Sequence, residues 1–227
     1  MCALVSVTQN PQHDQIAVAD PGVSGRRRKP KLGPLLPIGS LVAAILICAG
    51  IFIVDGFNIQ TLLVALRSLT KVSVLVFILV FVTRPLHDLV RSSVTTWMLA
   101  NRRYLGLSFA AWHLMHWPIL GSLMALEGPA LFWKYSKDFA IPAGCVLLVI
   151  SLMAATSSNR AVRFLGKPLW SAIHTVGLYT IWVWFFRVYW LRLPKHEIHG
   201  YVNLGLLAAA LTFRWAIGAR RIMTKKS

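Results

Sequence analysis

The sequence predicts an all-α fold, a polytopic membrane bundle of six transmembrane helices with both termini cytoplasmic, and three observations predict it. Of 227 residues, 56% are hydrophobic and only 14% charged. The apolar residues gather into runs of about 18 to 25, the length that crosses a ~30 Å hydrocarbon layer at about 1.5 Å per residue. No ten-residue alternation of the β-barrel kind occurs, and helices satisfy their own backbone polar groups in lipid.

Residues 1–33 are polar, contain Gly and Pro, and end in the basic run Arg26, Arg27, Arg28, Lys29 and Lys31. They are expected to form a disordered basic cytoplasmic tail able to meet anionic lipid headgroups. The basic run lies far from Met1 and no small-residue cleavage site follows the first apolar run, so that run is expected to be retained. The transmembrane domain spans 34–218, with helices expected over 35–54, 60–83, 104–126, 139–155, 169–193 and 201–218. Pro85 is expected to stop the second, whereas Pro118 and Pro142 lie inside the third and fourth, where lipid tolerates kinks. A basic C-terminus, 219–227, closes the chain.

Net charge +17 would point to nucleic acid in a soluble protein, but here its placement reads as topology. Sixteen of the 24 basic residues fall in the two tails and in the second and fourth connections, against Lys134, Lys137, Arg192 and Lys195 on the other side. The excess marks the cytoplasmic face. Arg67, Lys71, Arg187 and Arg214 fall within spans, where a long cation snorkels or faces the bundle. Cys2, Cys48 and Cys145 form neither a disulfide framework nor a zinc motif and read as small hydrophobes.

Among seven histidines, His13, His87, His196 and His199 fall in tail or connections and read as solvated. His113, His116 and His174 fall within spans, where an imidazole needs a partner. His113 and His116 are one turn apart on one helix face. Structural hydrogen bonding to a neighbouring helix and ligation of a buried metal, heme iron above all, are both open readings. Trp112, Trp117, Tyr179, Trp182 and Trp184 would suit a porphyrin pocket and equally an interfacial belt. No dinucleotide fingerprint and no P-loop occur, so the chain offers no nicotinamide or flavin site.

Arg102-Arg103-Tyr104-Leu105-Gly106-Leu107, then eight residues and His116, resembles the third helix of the ferric-reductase-like transmembrane family. Thr156-Ser157, Arg163, Leu165-Gly166-Lys167 and His174 resemble its fourth connection and fifth helix, and Thr83, Pro85 and Leu86 its second helix end. The resemblance covers about 70–190 and is greatest to the heme-binding membrane subunit of the bacterial periplasmic methionine-sulfoxide reductase system. It implies a bacterial inner-membrane electron-transfer subunit, not a catalytic one. Such a subunit holds heme b, with His116 and His174 as iron ligands and His113 in reserve. The resemblance further implies a cytoplasmic flavin reductase or quinol as donor and a periplasmic molybdoenzyme as acceptor.

The chain departs from the family where a second fifth-helix histidine is expected, thirteen residues after His174, because Arg187 stands there. Guanidinium has no lone pair for iron. Arg187 is instead expected to meet a heme propionate, Glu127 or Asp138, or to snorkel. Helix arithmetic also puts His116 about 18 Å and His174 about 7 Å from the cytoplasmic face. A shared iron wants its two nitrogens about 4 Å apart, so the two histidines are expected at separate levels, unless tilt pairs His113 with His174. A divergent scaffold that has lost heme is the alternative, and transport, which wants convergent midplane polar groups, is a third.

Overall fold

The computed structural model describes residues 33–195 and 198–224, save the side chains of 130–138, 140, 195 and 221. The tail with His13 and Cys2, and also His196, Lys225 and Lys226, lies outside the described residues. These contain α1 (Leu35–Asp55), α2 (Ile59–Leu89), α3 (Ser93–Ala100), α4 (Arg102–Leu114), α5 (His116–Glu127), α6 (Pro129–Ala155), α7 (Asn159–Leu165), α8 (Lys167–Trp190) and α9 (Ile198–Thr224), with no strand. Four of them, α1, α2, α8 and α9, are long and apolar enough to cross a membrane. A fifth is added if α6 and α7 count together, but the chain bends there by 99°. Leu35, Ile38, Val42, Ile45 and Leu46 of α1 all point outward. An apolar face this continuous is compatible with lipid and unlike a soluble surface.

Pro85 does not end α2, contrary to expectation; the helix runs four residues further, to Leu89. A proline inside a helix deprives the carbonyl four residues earlier of its donor, and here that carbonyl belongs to Phe81. Arg214 of α9 supplies the missing donor, its Nη1 lying 2.8 Å from Phe81 O. The guanidinium also lies 4.8 Å from the Phe81 ring centroid and 5.7 Å from that of Tyr179. This accounts for an arginine within a span: it faces the bundle and repairs a neighbouring helix. Arg67 and Lys71, by contrast, point outward from α2.

The predicted third span is two helices, α4 and α5, meeting at Met115. Pro118 cannot donate to Leu114 O, which is where α4 stops. Two short helices arise in connections read as plain loops. α3 is started by a capping box between Ser92 and Thr95, and Ser158 caps α7 by accepting from Ala161 N–H. His87, read as solvated, is part-buried with Nδ1 3.4 Å from Thr95 Oγ1. His199 lies in α9 and not in a loop.

The core is aromatic. Phe77 of α2 lies 5.4 to 5.6 Å, centroid to centroid, from Phe81, Phe109 of α4 and Phe185 of α8. Trp182 of α8 donates its indole N–H to Leu207 O of α9 at 3.0 Å, tying those helices together. A second cluster joins Ala44 and Cys48 of α1 to Leu62, Leu69 and Trp112. Cys48 is buried as expected, whereas Cys145 is exposed on α6. Gly177 marks a tight contact between α8 and α6, because a Cβ there would run into Met153 Sδ and crowd Val149 of α6. Gly177→Leu is therefore expected to cost about 1 to 3 kcal/mol by overpacking, read as a lower unfolding temperature in detergent micelles; an unchanged temperature would refute the close packing.

Candidate functional site

The three histidines within the predicted spans are held at two levels. His116 and His113 sit together at the α4–α5 break, with ring centroids 4.4 Å apart. The break leaves the His113 carbonyl accessible, and His116 Nδ1 lies 2.8 Å from it. A carbonyl only accepts, so Nδ1 carries the ring proton and Nε2 the lone pair. That Nε2 lies 3.1 Å from Thr70 Oγ1 of α2. Thr70 also lies 2.7 Å from Leu66 O, so one hydroxyl proton serves two acceptors. His113 is stacked on Phe109 and flanked by Phe185, and its Nδ1 is buried without a hydrogen-bond partner.

His174 is elsewhere. It lies over the Trp170 ring, centroids 4.4 Å apart, with Nε2 3.2 Å from Thr156 Oγ1 at the end of α6. Thr156 Oγ1 also lies 2.7 Å from Leu152 O, as Thr70 Oγ1 does from Leu66 O. Trp170 is itself fixed, its indole donating to Thr156 O at 3.0 Å. Such outer contacts are what orients a ligating imidazole.

His174 lines a cavity of about 420 Å³ between α2, α4, α6, α7, α8 and α9, within the size range of cofactor sites. The cavity is graded along its length. Arg102, Arg103, Asn159, Ser171 and His174 line one end; Phe77, Phe109, Ile150, Leu178 and Ile181, one to three turns deeper in their helices, line the other. Arg214 also lines it, and no Asp or Glu does among the described residues.

Neither His113 nor His116 lines that cavity. His174 and Arg102 line the same cavity, whereas His116 is fourteen residues beyond Arg102 along the chain, about 21 Å of helix. The geometry thus keeps His116 and His174 apart and does not bring His113 to His174. Arg187 lies with its guanidinium 5.8 Å from the Trp184 ring centroid. Among the described residues no cluster of three or more His, Cys, Asp or Glu could hold a metal on its own. A porphyrin needs only an axial group, apolar walls and cations for its acids, and the His174 cavity has all three. The His113–His116 level has imidazoles but does not line that cavity.

Sequence reasoning passed over Thr70, Thr156 and Trp170, which orient the histidines, and did not join Arg102, Arg103 and Arg214 into one site. The signal for Thr156 was present, since it belongs to the segment that resembles the ferric-reductase-like family. Comparison with known proteins finds no matching family, no matching curated protein and no matching solved structure.

Proposed function

We propose that this chain is a heme b-binding membrane subunit for electron transfer, with His174 as the axial imidazole in its cavity. The observation that carries the reading is that cavity: one oriented imidazole, apolar and aromatic walls, and three guanidinium groups without a carboxylate. Bound there, heme would supply reversible one-electron chemistry. Thr156 and Trp170 fix the ring; Phe77, Phe109 and Ile181 exclude water. His113 and His116 stay as candidates for a second level, nearer the opposite face.

On this reading α4 and α5 together form one span and α6 another, giving six, with both termini in the cytoplasm of a bacterial inner membrane, as the basic residues favour. Electrons would come from a cytoplasmic flavin reductase or quinol and leave to a periplasmic molybdoenzyme, as the family resemblance implies. The test is a reduced-minus-oxidised spectrum of the full chain purified after expression with ample heme precursor. Bands of a b-type heme are expected; a colourless protein would refute the reading. A scaffold that has lost heme is favoured by one observation, that both nitrogens of His116 are within hydrogen-bonding range of protein atoms.

A further inference from the structure

Arg102 and Arg103 open α4, the end of a helix where a cation is disfavoured by the dipole. Arg102 is partly buried there, and the like charges of Arg214 and Arg84 bear on it. A partly buried guanidinium among others of its kind is costly unless an anion joins it. The cavity wall provides none; of the other described carboxylates, Asp55 and Glu127 lie at the opposite helix ends, and Asp88, near the end of α2 on the same side, does not line the cavity. Five N–H donors per arginine are available for oxyanions, and Arg214 gives one to Phe81 O.

We infer that Arg102, Arg103 and Arg214 form a receptor for the acid groups of the cavity's occupant. The ligand this site takes is an amphipathic anion whose apolar body lies toward Phe109 and Ile181 and whose carboxylates lie toward the α4 N-terminus. Two features carry this: three arginines on a cavity whose wall holds no Asp or Glu among the described residues, and the passage from polar to apolar lining along both α4 and α8. The inference rests on the cofactor reading above and assigns the propionates of the porphyrin to these arginines. It also explains how one oriented imidazole suffices to select a ligand, since charge-assisted bonds at the mouth add affinity and fix orientation.

The test titrates the full-length, heme-depleted chain, in nanodiscs of neutral phosphatidylcholine, with ferric protoporphyrin IX and with its dimethyl ester, followed by the Soret band. The diacid is expected to bind at least about tenfold more tightly, the effect of losing one charge-assisted hydrogen bond, and Arg102→Gln is expected to narrow the ratio. The ester comparison uses the unmodified chain, so it stands even where the variant fails to fold. Equal affinities for diacid and diester would overturn the inference and leave the cofactor reading intact. No response to either porphyrin would overturn both. Native mass spectrometry supplies the remaining arm: an anionic phospholipid bound one to one, lost in Arg102→Gln and not displaced by the diacid, would assign the arginines to a lipid phosphate and overturn the carboxylate assignment.

Discussion

Arg214→Met is expected to destabilise the heme-free bundle by about 1 to 3 kcal/mol, and the loss is expected to shrink when Pro85→Ala is made in the same chain. The reason is local. Phe81 O lacks its helical donor because residue 85 is proline, and Arg214 Nη1 takes that place at 2.8 Å. With methionine there, a carbonyl is stranded in an apolar core. With alanine at 85, the backbone N–H returns and the carbonyl is satisfied with or without the arginine. A double-mutant cycle in detergent micelles measures this coupling. Strict additivity would show that Arg214 acts by its stacking on Phe81 and Tyr179 alone, and a stabilising Arg214→Met would show that its desolvation outweighs both.

That pair also shows what a sequence hides. Pro85 in isolation argues for a helix end, as a missing donor and a ring clash ordinarily do. The compensation sits 129 residues away in Arg214, itself legible only as a cation out of place. The long apolar helices α1, α2, α8 and α9 were visible because twenty or more residues of one character leave little alternative in lipid. The short α3 and α7 were not, since seven or eight residues of mixed polarity carry no period, and only Ser92, Thr95 and Ser158 mark their starts. Pro118 showed that the third span would be disturbed, and the structure converts that disturbance into a break which hands the His113 carbonyl to His116.

The site was legible in its parts and not in its assembly. His174, Arg102 and Arg103 stood out by residue type and by resemblance, yet the cavity draws its walls from six helices between Phe77 and Arg214. No periodicity within one helix reports which residues of the others it will face. Counting along helices separated His116 from His174, and the structure gives them different partners, Thr70 of α2 for one and Thr156 at the end of α6 for the other.

The two histidines should therefore respond differently to removal. His174→Ala takes away the one imidazole lining the cavity and is expected to abolish the heme absorbance of the purified chain, leaving its unfolding temperature without heme nearly unchanged because the side chain is only partly buried. His116→Ala removes a buried ring that links the α4–α5 break to Thr70. It is expected to retain cavity heme but to cost about 1 kcal/mol of stability, the size of an interhelical hydrogen bond in a membrane protein. Thr70→Val is expected to reproduce that loss, because it deletes the same bond from the other side. Heme lost from His116→Ala and kept by His174→Ala would reverse the assignment and place the cofactor at the α4–α5 break. For that to happen Thr70 and the His113 carbonyl would have to release His116, so the reversal would also require that Thr70→Val leave heme binding intact or strengthen it. The three variants together thus decide between a histidine that holds a cofactor and a histidine that holds two helices.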